Sequence, residues 1–197
     1  RSAVDGAKAV VHLAALLHRP SAGESLRAQY ERVNVDGTIA VVDAAVEARL
    51  ERLVLFSTIN VYGNTGGQLV TDDTPARPNG LYPRTKLMAE NVVLSRRGWD
   101  GQPLSTVLRL GAVYGPRMTG NYLRLVRAAA RRRFIPLGDG RNSSTIVYER
   151  DVAQAALLAV SNPAAAGRIF NVSDGEVHSV SEILAAIYRA LGRTPPR

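Results

Sequence analysis

The sequence predicts an α/β fold, a three-layer sandwich with helices on the faces of a parallel sheet. Three observations carry that expectation. Short apolar runs of β type recur along the chain, helical segments separate them, and no internal repeat or low-complexity linker breaks the alternation. Crossover helices make successive strands parallel. With 197 residues, 46% of them hydrophobic and 21% charged, the chain can bury one sizeable core and is too apolar for disorder. A single domain over 1–197 is expected, the part from about 118 contributing to a small lobe.

The first strand is read at Ala9-Val10-Val11-His12-Leu13, ahead of the small residues Ala14 and Ala15. Residues 24–50 carry helical periodicity, with Val35, Ile39, Val42 and Ala45 on one stripe. Arg52-Leu53-Val54-Leu55-Phe56-Ser57 reads as a buried strand, and a Gly-, Asn-, Thr- and Pro-rich loop follows to Gly80. A helix is expected from Tyr82-Pro83 to about Arg97, because proline suits the first helical turn.

Further on, residues 105–110 read as a strand, 121–132 as a helix and Gly138-Asp139-Gly140 as a turn. Thr145-Ile146-Val147-Tyr148 is extended and leads into a helix over 151–160. Ile169-Phe170-Asn171-Val172 is a strand, and residues 179–191 are a helix capped by Ser179 or Ser181.

The charge is less telling than it looks. There are 25 basic and 17 acidic residues, a formal charge of +8, and all but two of the cations are arginine. That bias reflects composition more than a polyanionic partner. Arg131-Arg132-Arg133 follows an alanine run at a helix end, where cations complement the helix dipole. No aromatic residues interleave with the arginines as a nucleic-acid stacking groove would require, so no nucleic-acid partner is expected. No apolar run reaches the roughly 18 residues of a membrane span, and no membrane partner is expected.

Cysteine is absent, which excludes disulfides, thiolate metal sites and cysteine nucleophiles. His12 reads as a core or supporting histidine rather than a ligand, and His18 and His178 as isolated and exposed. No cluster has metal-ligand spacing, so no metal is expected. Glu149-Arg150-Asp151 reads as a capped helix start. The expected compartment is the cytoplasm.

The informative segment is Tyr82-Pro83-Arg84-Thr85-Lys86. Residues four apart on a helix share a face, so Lys86 lies one turn beyond Tyr82. An ammonium beside a phenol favours the phenolate and is expected to lower a pKa that starts near 10. Such a tyrosine can take a proton from a carbinol while a cofactor removes hydride. Upstream, Phe56-Ser57-Thr58-Ile59-Asn60-Val61-Tyr62-Gly63 ends a strand with two hydroxyls. The C-terminal ends of parallel strands are where α/β folds place their ligands.

Taken with His12-Leu13-Ala14-Ala15, Asn34-Val35-Asp36-Gly37-Thr38, residues 113–117 and Gly138-Asp139-Gly140, the sequence resembles a known family. That family is the extended short-chain dehydrogenase/reductases of the NAD-dependent epimerase/dehydratase type, which have a Rossmann-type fold. The resemblance runs from residue 9 to about 192. It implies that Tyr82 is the catalytic base, that Lys86 tunes it and holds the nicotinamide ribose, and that Thr58 hydrogen-bonds the reacting oxygen. Leu13, Ala14, Ala15, Asn34 and Ser57 then belong to the binding site for NAD or NADP. Asn121 resembles an asparagine that touches a nucleotide-sugar diphosphate. A homodimer is implied for the full-length protein, and the lobe from about 118 becomes part of a substrate-binding lobe.

Several departures bear on this. The family's opening strand and G-x-x-G-x-x-G loop, which hold the cofactor pyrophosphate, have no counterpart. Gly63-Asn64-Thr65-Gly66-Gly67 leads into Thr71-Asp72-Asp73 rather than a helix. The chain therefore reads as an internal fragment, incomplete at the N-terminus and short at the C-terminus, with an open edge on its first strand and weak NAD binding when alone. Ile59-Asn60 stands where the 4,6-dehydratases carry Asp-Glu, which disfavours dehydration. Ala112 replaces an asparagine of many epimerases, and Ser143-Ser144 falls where an arginine often meets substrate phosphate. A nucleotide-sugar 4-epimerase leads the readings. The alternatives are an NAD(P)-dependent reductase or dehydrogenase of a non-nucleotide substrate, and a non-catalytic binding or scaffold module of the same fold.

Overall fold

A computed structural model describes residues 4–17, 24–131 and 143–194, without the side chain of Asn121. His18, Arg132, Arg133 and the turn expected at Gly138-Asp139-Gly140 lie outside the described residues. Two compact units emerge, 1–110 with 153–172 and 111–152 with 173–197. Where the sequence reading has one domain with lobe residues from about 118, the chain instead divides after Leu110 and returns 153–172 to the first unit.

In the first unit, strand β1 (Ala9–His12) leads to helix α1 (Glu24–Tyr30). A π-helical stretch, Glu31–Asp36, runs directly into α2 (Gly37–Glu47). The wide turn shifts the helical phase, so Asn34, Val35, Thr38, Val42 and Ala45 are buried while Ile39 is only half-buried. That displaces the expected stripe at one position. Helix α2 ends in a Schellman motif with Arg49 at φ +54°. The Leu50 N–H bonds to the Ala45 carbonyl at 2.9 Å and the Arg49 N–H to that of Val46 at 3.1 Å. Leu50 is buried behind this turn and feeds the next strand.

Strand β2 (Arg52–Thr58) is followed by a single 3₁₀ turn, Ile59–Tyr62. Helix α3 (Leu81–Ser95) begins one residue before the expected Tyr82 and stops short of Arg97, because Arg96 is already extended. Strand β3 (Ser105–Leu110) is buried along its whole length. The order β1-β2-β3-β7, with β7 at Ile169–Val172, is parallel throughout. Val11 pairs with Val54 and Phe56 with Leu108, so the three strand ends lie side by side as the sequence predicted.

Leucine and valine dominate β2 because both its faces are covered. Leu53, Leu55 and Val107 meet Val42 and Ala45 of α2 and Ala89 and Val93 of α3 in the main core. Each fully buried Leu or Val contributes roughly 1.5–3 kcal/mol. At the sheet edge, β1 pairs only with β2 among the described strands and leaves Val11 exposed.

The second unit contains β4 (Ala112–Tyr114), α4 (Gly120–Ala130), β5 (Ser143–Ser144) and β6 (Ile146–Tyr148). Helix α5 (Glu149–Ser161) starts at Glu149, two residues before the expected Asp151, and continues into the first unit. Strand β8 (His178–Ser179) and α6 (Val180–Ala190) complete the second. Ser179, not Ser181, caps α6, in a capping box with Glu182. His178 is not isolated: its Nε2 lies 2.6 Å from the Asp174 carboxylate, and that bond raises its pKa. Among the described residues no helix is long and apolar enough to cross a membrane.

Candidate active site

Thr58 ends β2, Leu13, Ala14 and Ala15 follow β1, and Tyr82 and Lys86 lie on α3, which packs against β2. Thr58 is the last residue of β2 and is nearly buried. Its Oγ accepts the Asn60 N–H at 3.2 Å, which caps the 3₁₀ turn. That leaves the hydroxyl proton free to donate. Gly63 ends the turn at φ +72°, and a Cβ there would fall 2.1 Å from the Arg77 carbonyl oxygen. Only glycine lets residues 64–79 fold back so closely.

Tyr82 lies in the first turn of α3 and is half-buried. The phenol departs from expectation. Its pKa is raised, chiefly by burial and further by the nearby Tyr30 phenol, with no opposing contribution from Lys86. Lys86 is 2% exposed, and burial pushes it down to about 8 while Glu90 pulls it back upward. A cation so depressed does not hold the phenol low.

Asn34 also differs from its assigned role. Its Oδ1 accepts the Leu16 N–H at 2.6 Å. Its Nδ2 donates to the Leu16 carbonyl at 3.2 Å and to Thr85 Oγ1 at 3.1 Å. Three of the amide's four hydrogen-bonding positions fix the loop after β1 to α3. The loop's own residues Leu13, Ala14 and Leu17 are exposed and Ala15 half-exposed, an apolar rim at the strand ends.

His12 is buried, and its pKa is lowered by burial first and by Lys86 second. Thr38 donates its hydroxyl proton to the Asn34 carbonyl at 2.7 Å. The His12 Nε2, 3.1 Å from Thr38 Oγ1, must therefore be the donor in that pair. This is a neutral supporting histidine, as the sequence suggested.

Ser57 points away from the strand end. Its hydroxyl bonds the Glu90 carboxylate. Glu90 is 1% exposed. It also receives three hydrogen bonds from Arg109 of β3, at 3.2, 3.1 and 2.7 Å. The Arg109 guanidinium lies 4.8 Å from the centre of the Tyr62 ring. Burial alone would lower the Arg109 pKa, but the bonds to Glu90 outweigh it and the pKa rises. Sequence reasoning missed Glu90. The signal was its spacing, one turn past Lys86 and two past Tyr82 on the inward face, where an unpaired carboxylate has no place.

Asn121 opens α4, and nothing further is described of its side chain. Ser144 Oγ lies 2.5 Å from the Tyr122 hydroxyl in the second unit. Among the described residues no group of three or more His, Cys, Asp or Glu could hold a metal ion.

A buried ammonium with no hydrogen-bond or ion-pair partner among the described residues, a donor hydroxyl at Thr58 and an apolar rim at Leu13 suit a dinucleotide's ribose and ring. The family model described as "NAD dependent epimerase/dehydratase family" matches residues 2–173. The chain belongs to that family.

Within it, the chain is 31% identical over 197 residues to a dTDP-glucose 4,6-dehydratase of Streptomyces griseus, covering 98% of this chain and 58% of that protein. It is 28% identical over 189 residues to a UDP-glucose 4-epimerase of Vibrio cholerae, covering 93% and 57%. A solved structure, MoeE5 in complex with UDP-glucose and NAD, superimposes with a TM-score of 0.84 at 31% identity, covering 98% of this chain and 65% of that one. The chain thus spans little more than half the length of these curated relatives.

Proposed function

We propose that this chain is the catalytic portion of an NAD-dependent nucleotide-sugar 4-epimerase, inverting a carbinol centre by transient oxidation. The observation that carries the reading is the α3 face. It bears Tyr82 in the first turn and the buried, unpartnered Lys86 one turn on, against the C-terminal ends of parallel strands. NAD, when bound, supplies reversible hydride acceptance. The chain's residues supply the rest.

Tyr82 Oη takes the carbinol proton and returns it. Thr58 donates its free hydroxyl proton to the same substrate oxygen, holding it in line. Lys86 holds the cofactor ribose. Its ammonium, one helical turn from the phenol, would favour the phenolate as the proton leaves the carbinol. Leu13, Ala14 and Ala15 line the cofactor, and Asn34 and Ser57 hold the elements that carry the site. A 4,6-dehydration is not proposed, because Ile59 and Asn60 offer no acid–base pair beside Thr58. A cytoplasmic homodimer is the setting the reading implies.

A second reading rests on the other unit. Ser144 is engaged by Tyr122 and places no cation for a diphosphate, and Ala112 offers no polar group. Both suit a dehydrogenase or reductase of a non-nucleotide substrate. Incubating the whole protein with NAD and UDP-glucose, and following the sugar by proton NMR, separates the two. Interconversion of C4 epimers without net NADH supports the epimerase. Absence of any C4 inversion across UDP- and dTDP-hexoses overturns it.

A further inference from the structure

Among the described residues of the first unit, Glu90 is a deeply buried charge that has no part in the chemistry just described. Its carboxylate takes three hydrogen bonds from Arg109 of β3 and one from Ser57 of β2, and is 1% exposed. Ser57 immediately precedes Thr58, and Arg109 lies beside Ser57 in the parallel register. On α3, Glu90 follows Lys86 by one turn and Tyr82 by two, on the same face.

We propose that Glu90 is a positioning residue, locking the helix face that carries Tyr82 and Lys86 onto the strand ends that carry Thr58 while standing one helical turn past Lys86. The proposal rests on reading Tyr82, Lys86 and Thr58 as the reaction centre. An ion pair alone would not need this placement, because burying a carboxylate and a guanidinium gains little over a well-packed apolar pair. What the pair adds is a fixed distance between helix and strands, with a serine hydroxyl as a third tether. Tyr82 stands one turn before Lys86 on the same helix face. His12 of β1 is kept neutral by burial and by Lys86 itself. Glu90 is the anion on its own helix, and Arg109 of β3 lies behind Glu90. Without Glu90, burial would push the ammonium toward its neutral form.

The test uses the whole protein with ¹³C-labelled lysine, the Lys86 signal being assigned by its loss in Lys86→Arg. In Glu90→Gln, the Lys86 titration should move to lower pH and kcat should fall by about ten- to a hundredfold with KM for the sugar nearly unchanged. Glu90→Asp should restore part of both. An unmoved Lys86 titration in folded Glu90→Gln overturns the proposal whatever the activity does.

Should Glu90→Gln fail to fold because Arg109 is stranded, Ser57→Ala leaves the ion pair in place and decides the matter. A drop in kcat at constant KM supports positioning. Unchanged kcat with a lowered melting temperature reduces Glu90 to a purely structural role and overturns it. Tyr82→Phe, run alongside, separates the two ideas. Full activity in that variant refutes the reaction centre, and the lysine titration still judges Glu90.

Discussion

The side-chain amide of Asn34 grips the backbone of Leu16 in both directions, accepting its N–H at 2.6 Å and donating to its carbonyl at 3.2 Å. A loop held this way keeps its exposed Leu13 and Leu17 near the ends of the strands. Replacing Asn34 by alanine strands two backbone groups of Leu16 and the Thr85 contact. The expected loss is about 1–3 kcal/mol of stability, read by urea denaturation. A parallel weakening of NAD binding should appear in calorimetry. Asn34→Asp should do no better, because it keeps the acceptor but loses both donors and buries a charge.

Lys86 makes stability depend on pH with a definite sign. Its pKa falls from 10.5 to about 8 on folding. Between those values the unfolded chain holds a proton that the folded chain has released. The lysine's contribution to stability therefore increases as pH rises from about 8 to 10.5. Below that window the folded protein keeps a buried charge at a cost on the order of 3 kcal/mol. Lys86→Met should be more stable than the parent at pH 7, and the difference should shrink by pH 10. The same variant should lose turnover and NAD affinity. A Lys86→Met protein less stable at pH 7 would show that the ammonium is satisfied in a way the structure lacks.

Arg109 and Glu90 should behave as one unit. Removing Arg109 alone leaves Glu90 buried and unpaired, at a cost of about 3–5 kcal/mol. Converting both, as in Arg109→Met with Glu90→Leu, should cost far less than the sum of the two single changes. A double-mutant cycle by chemical denaturation measures this coupling, and additivity would deny the pairing.

Gly63 allows no side chain. Gly63→Ala at φ +72°, with its Cβ 2.1 Å from the Arg77 carbonyl, should lose at least about 1–3 kcal/mol. It should also make the segment 64–79 newly sensitive to limited proteolysis, whereas Gly66→Ala, strained only by its φ of +61° with nothing within 4 Å, should do so far less.

Much of this was legible in the chain because it depends on periods. The strands at 52–57, 105–110 and 169–172 announce themselves as apolar runs, and Tyr82 and Lys86 are one helical turn apart by spacing alone. Direction was harder to read. Ser57 and Thr58 are adjacent, but alternation along β2 sends the first toward Glu90 and leaves the second at the strand end. Asn34 was readable as a polar residue near the site, but the π turn that aims it at Leu16 has no periodic signature. The Tyr82 pKa went the opposite way from the simple pair argument, because burial disfavours the phenolate and nothing from Lys86 opposes it.

The central claim is that Tyr82 moves the proton. Tyr82→Phe keeps the ring and its packing and removes only the hydroxyl. In the whole protein with NAD and its nucleotide-sugar substrate, turnover should fall by about 10²–10⁴-fold while the melting temperature and NAD affinity hold. Turnover within a few-fold of the parent on that substrate would contradict the account and leave the fold serving as a binding module.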